Sequence, residues 1–198
     1  MRSMRNHAHV EEAPTGWRTF DAAIERGAVA GSLSALVIIA LLALAGAVQG
    51  VGAATPFYAI VSILSPGALE VAQAATAAGE AAPFFQQEFV GGLGICVVLG
   101  GLSGAIFSLG TRNHRVTGPA LYAVAALHGV ILMCFFYLVC LQVVGTVVGA
   151  QPEASSLSGL IGWPWMVGIH IVHGLVLALV ISSRLVTNER RLGRNQHP

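Results

Sequence analysis

Residues 162–184 read GWPWMVGIHIVHGLVLALVISSR, and the fold turns on how this run is understood. About 20 apolar residues in a helix, at 1.5 Å each, cross the hydrocarbon core of a bilayer. This run has that length. Trp163 and Trp165 stand at one end and Arg184 at the other, the aromatic and cationic flanks of a membrane span. Two histidines, His170 and His173, sit near its middle, where a polar ring finds no bulk water.

Composition carries the same reading to the whole chain. Of 198 residues, 55% are hydrophobic and only 10% charged, with a mean hydropathy of +0.75. That balance excludes an ordinary soluble domain. The formal net charge of +1 gives nucleic acid no electrostatic footprint. Outside the apolar runs no segment is long enough to bury a core of its own, which excludes soluble-domain catalysis. Cys96, Cys134 and Cys140 all fall inside apolar runs without zinc or redox spacing, and they read as small packing residues.

Three further spans are predicted outward from this one. TM1 covers 27–51; its apolar stretch is longer than the core of a secretory signal, which favours an uncleaved helix. TM2 covers 89–110 and TM3 covers 119–149, the latter opened by Pro119 at a first-turn position. TM4 is the run at 162–184. The membrane domain spans 24–186, between a polar tail over 1–23 with little structure before Trp17 and a short tail over 187–198. Residues 54–87 hold an apolar piece too short to cross, stopped by Pro66-Gly67. They are expected to lie on the surface or dip shallowly, with Phe57, Tyr58, Phe84 and Phe85 at the interface.

All ten basic residues are arginines, and their placement sets orientation. They occur in the N-terminal tail and the start of TM1, in the loop between TM2 and TM3, and from Arg184 to the C-terminus; the loops at 54–87 and 150–160 have none. The positive-inside rule then predicts an all-α, four-helix polytopic protein of a bacterial cytoplasmic membrane, with both termini cytoplasmic.

Two patterns inside the spans bear on function. In TM2, Gly92, Cys96, Gly100, Gly104 and Ser108 recur at every fourth position, a small-residue ridge along which helices approach closely in lipid. The other pattern is the histidines. No Asp, Glu, Lys or Arg falls in the central part of any span, which weighs against ion-coupled transport and leaves no carboxylate pair for acid–base chemistry. His128 in TM3 lies about 20 Å from Arg115, and His173 in TM4 about 16 Å from Arg184, counted from the same face at 1.5 Å per residue. The two rings therefore share a depth, each followed by glycine (Gly129, Gly174), with His170 one turn farther out.

Three chemistries suit such a set. The first is hydrogen bonding between helices, to one another, to carbonyls, to serines or to Gln142. The second is b-type haem held axially by His128 and His173 or His170, with Gly129, Gly174 and the TM2 ridge leaving room for the ring. The third is copper or zinc on two or three histidines, with Met133 or Met166 if the metal is Cu(I).

With its glycine-rich helices and paired His-Gly steps at 128/129 and 173/174, the layout over 24–186 resembles small uncharacterised bacterial four-helix integral membrane proteins. That resemblance implies the fold and no activity. A looser similarity is to the cytochrome b anchor subunits of respiratory dehydrogenases, which offer more ligand histidines than this chain has.

The expected function is a non-catalytic integral membrane subunit, packed through its small-residue ridges against other membrane subunits or copies of itself in a larger, energy-transducing complex. Its default is no cofactor. The alternative is a single-haem b cytochrome carrying electrons through His128 and His173, and the third a small transporter or channel.

Overall fold

The structure, a computed structural model, describes residues 16–112, 116–140, 143, 146–147 and 155–194, and every element among them is helical. In chain order these are α1 (Gly16–Val48), α2 (Thr55–Val61), α3 (Gly67–Ala77), α4 (Gln86–Arg112), α5 (Pro119–Phe135), α6 (Ser155–Ile161) and α7 (Trp163–Arg194). A five-residue π turn, Phe136–Cys140, continues α5 without a break. Three helices are long and apolar enough to cross a membrane: Phe20–Val48, Gln86–Arg112 and Trp163–Ser183; α5 is a shorter apolar helix.

Local chemistry explains the boundaries. α1 begins at Gly16, well before the apolar run, because Ala22, Ala23, Glu25 and Arg26 all favour helix and Arg26 Nε donates back to the Ala22 carbonyl at 2.8 Å. It ends where Gly50 adopts a positive φ of 75°. There the Val51 amide donates to the Gly46 carbonyl and the Gly50 amide to Ala47, the paired bonds of a Schellman stop. α3 ends the same way at Gly79. Residues 1–15 and most of 141–154, including Gln142, Glu153 and the expected end of TM3, lie outside the described residues.

Two helix pairs make the bundle. α1 and α4 run antiparallel with backbones in contact: a Cβ on Gly31 would collide with the Gly100 carbonyl, and one on Gly104 with the Gly27 carbonyl. α5 and α7 are pressed together the same way, Gly129 against the His170 carbonyl and Gly174 against the Ala125 carbonyl. α1 also packs on α7 and so joins the pairs, whereas α4 and α5 barely touch.

In the segment between α1 and α4, two of the four aromatic residues expected at the membrane interface are instead enclosed by protein. Phe57 and Tyr58 are completely buried, at 0% exposure. Gly92 makes this possible, since a Cβ there would meet the Phe57 backbone; α2 therefore sits directly on α4. Phe57 meets Phe89 edge to face at 5.1 Å. The Tyr58 hydroxyl accepts from the Phe85 amide at 3.0 Å and points its hydrogen toward the Pro83 carbonyl at 3.5 Å, so its polar tip is satisfied inside the protein. Phe84 remains exposed and Phe85 half-buried.

The interior has three layers. One apolar cluster gathers Leu42, Phe57, Tyr58, Leu69, Met133, Met166 and Ile169, where α2, α3 and α6 cap the bundle. A smaller one gathers Ala30, Phe107, Leu121, Ala125, Leu177 and Ala178 toward the other end. Between them lies a polar layer containing Ser34, Ser103 and His173, each at most 1% exposed.

Candidate functional site

The three long helices and α5 each contribute one side chain to that layer: Ser34 from α1, Ser103 from α4, His128 from α5 and His173 from α7. The hydroxyl of Ser34 donates to the Gly31 carbonyl of its own helix at 3.0 Å. With that hydrogen on the carbonyl, the Ser34 oxygen accepts from His173 Nδ1, 2.7 Å away, and the ring proton is assigned to that nitrogen. In the neutral ring Nε2 is then an acceptor, and it takes the Ser103 hydroxyl hydrogen at 3.1 Å. The Ser103 oxygen in turn accepts from His128 Nε2–H at 3.1 Å. Every hydrogen in the chain has one direction, from α5 through α4 and α7 to the backbone of α1.

The packing around the layer explains why the relay closes. The glycine contacts fix α1 on α4 and α5 on α7 as two close pairs, and all three relay bonds then run from one pair to the other. The ring of Phe107 lies 5.2 Å from that of His128 and fills the apolar side of the relay. His170 stands apart. Its Nδ1 donates to the Met166 carbonyl one turn back at 2.8 Å, and its ring meets Tyr137 edge-on at 6.3 Å.

Beside the relay, in the gap left between α4 and α5, is a cavity of about 230 Å³. Its walls are mostly apolar, with Ile38, Leu99, Leu102 and Leu132 among them, and its polar groups are Cys96, Ser103, Tyr137, His170 and His173. Leu102, Ile106 and Phe135 form a rim exposed on the outer surface.

The residues singled out from sequence fall into distinct places. Gly92 takes α2, Gly100 and Gly104 take α1, and Ser108 lies against Gly27, so this ridge is spent inside the chain. Cys96 lines the cavity. Gly129 and Gly174 lie where α5 and α7 meet. His128 and His173 are joined through one hydroxyl, and His170 is not part of that relay.

This geometry does not fit haem between His128 and His173. The space beside Gly129 and Gly174 that was to admit a macrocycle is filled by the facing helix backbone. Both Nε2 atoms turn to the same Ser103 oxygen, each at 3.1 Å, and no slot for a ring separates them. Among the described residues, no group of three or more His, Cys, Asp or Glu side chains converges as metal ligands.

Ser34 and Ser103 are the members of this polar layer that sequence reasoning did not single out. A serine inside a span ordinarily satisfies itself on a carbonyl three or four residues back, as Ser34 does in part, and nothing local distinguishes it from Ser32. The signal that existed was depth, since Ser103 immediately precedes the ridge glycine Gly104. A scan of protein-family models and searches of curated proteins and of solved structures each found no match to this chain.

Proposed function

We propose that the chain is a four-span integral membrane protein with both termini cytoplasmic, acting as a non-catalytic membrane subunit. The observation that carries the non-catalytic reading is the bonding of the polar layer. Both nitrogens of His173, Nε2 of His128 and both serine hydroxyls are engaged, in bonds that run between helices except for that of Ser34 to Gly31. The buried polar side chains of the described residues, Ser34, Thr55, Ser103, Ser158 and His173, include no acid and no cation. Such a layer clamps helices together. It is also a poor proton path across a membrane, because it runs sideways at one depth and ends on the Gly31 carbonyl.

The fourth span is supported by the unbroken continuation of α5 into the π turn. The 17 residues of α5 alone cover about 26 Å at 1.5 Å each, and the added turn brings Pro119–Cys140 to the roughly 30 Å of a hydrocarbon core. Orientation rests on the arginine pattern. In this reading the glycine ridges build the bundle itself, and other subunits meet its outer faces.

The test is purification in mild detergent, with a reduced-minus-oxidised spectrum and a mass measurement on the same sample. A colourless protein accompanied by stoichiometric partners is expected. A haem absorbance near one per chain that is lost in His128→Ala, or repeated isolation as a stable partner-free species, would overturn the proposal. For topology, Glu80→Cys in a cysteine-free background should react with an impermeant maleimide from outside intact cells. Labelling only after lysis would reverse the orientation.

A further inference from the structure

The cavity between α4 and α5 has features that helix packing leaves unexplained. Glycine contacts close α1 on α4 and α5 on α7, yet the α4–α5 seam is left open. Phe135, Phe136 and Tyr137 all border the space. Three successive residues of an α-helix fan out by about 200° at 3.6 per turn and do not share one wall. The π turn that begins at Phe136 widens the helix at this point, a distortion frequent at functional sites.

One of the residues bordering this space has a ring nitrogen with no hydrogen-bond donor among the described residues. His170 Nδ1 carries the ring proton, because it donates to the Met166 carbonyl. In the neutral imidazole Nε2 is then an acceptor. Among the described residues no group donates to it, and it is not sealed off, since no buried side-chain nitrogen or oxygen lacks a partner. The open space that His170 borders is the cavity. No Asp, Glu, Lys or Arg side chain lines that cavity, and its two histidines are held in hydrogen bonds of the neutral ring, which favours an uncharged occupant.

We propose that this cavity is a binding site for a neutral, ring-sized hydroxylated molecule dissolved in the bilayer, its hydroxyl donating to His170 Nε2 and its apolar body lying among Leu99, Leu102, Leu132 and Phe135. Size sets the class. A dry apolar cavity of about 150 Å³ takes up benzene, so about 230 Å³ admits one substituted ring and excludes most of a phospholipid. The exposed Leu102–Ile106–Phe135 rim is the way in. Only that route depends on the membrane reading; the cavity and its acceptor do not.

The test is equilibrium dialysis of the full chain in mild-detergent micelles against protein-free micelles, with 4-tert-butylphenol and its methyl ether as probes. The expected result is saturable uptake of the phenol near one per chain, roughly ten-fold stronger than the ether, which keeps the shape and loses the donor. His170→Phe should remove the ten-fold preference. Leu102→Trp, a substitution on an exposed rim position that folding tolerates, should weaken both probes by plugging the mouth. Uptake no greater than in empty micelles, equal affinity for the two probes, a preference that survives His170→Phe, uptake untouched by Leu102→Trp, or a co-purified phospholipid that the phenol does not displace would each overturn the proposal.

Discussion

Ser103→Ala is the sharpest perturbation of the polar layer, because one hydroxyl makes two of its three interhelical bonds. It donates to His173 Nε2 and accepts from His128 Nε2, both at 3.1 Å. Interhelical hydrogen bonds in membranes average about 0.6 kcal/mol and reach about 1.7. Two of them bring the direct loss to about 1–3 kcal/mol. The two orphaned imidazoles do not share the penalty equally. His173 is 1% exposed and finds no substitute, whereas the half-buried His128 can turn outward. Alanine returns about 0.5 kcal/mol through its better helix propensity. The expected net destabilisation is about 2 kcal/mol.

The assay is reversible unfolding in mixed micelles of mild detergent and dodecyl sulfate, with Ser62→Ala as the reference. Ser62, in the turn just after α2, returns its hydroxyl to the local Ala59 carbonyl at 2.8 Å, so its loss should cost less than about 0.5 kcal/mol. The double variant Ser34→Ala/Ser103→Ala adds the directional test. Both serines act on one ring, His173, and so their effects should be non-additive by at least about 0.5 kcal/mol. A Ser103→Ala cost equal to that of Ser62→Ala, or strict additivity with Ser34→Ala, would refute a relay with ordered protons.

The glycine seams give a matched pair in the same assay. Gly104→Ala drives a methyl against the Gly27 carbonyl and Gly31 backbone and should cost at least about 1–3 kcal/mol by forcing α1 off α4, while Gly94→Ala, with nothing within 4 Å, should be neutral or stabilising by up to about 1 kcal/mol. Equal effects at the two positions would remove the close-approach argument. Tyr58→Phe should cost about 1–2 kcal/mol and speed hydrogen exchange at the Phe85 amide, which loses its acceptor; unchanged exchange there would mean that the tyrosine does not hold residues 79–85 in place.

How much of this was legible beforehand differs from feature to feature, for physical reasons. The apolar runs announced themselves because a bilayer imposes a minimum length and an exclusion of charge, and three of the four expected spans emerge as helices of that kind. Phe57 and Tyr58 were misplaced because shortness excludes crossing without saying what lies beneath. Whether Phe57 and Tyr58 meet lipid or protein depended on Gly92 some thirty positions away and on partners for one hydroxyl, neither of which periodicity encodes. The common depth of His128 and His173 was readable from arithmetic along the helices. The serine that joins them was not, because a hydroxyl's partner is a matter of azimuth as well as depth.

The small-residue ridge carries the broader argument. Spacing of Gly92, Gly100 and Gly104 at every fourth residue states that something approaches α4 closely, and it is silent on whether that neighbour belongs to another chain. The answer depends on what else the chain offers. α1 brings Gly27 and Gly31 in matching register, and α2 brings Phe57, so the ridge is filled from within. Gly129 and Gly174 pair off in the same way on the other side. With both close seams closed internally, a gap remains between α4 and α5, and there the chain places a π turn, three consecutive rings and an imidazole acceptor. Tight packing on two seams leaves the third open, and the bond from His128 to Ser103 spans α4 and α5 beside a cavity that side chains do not fill.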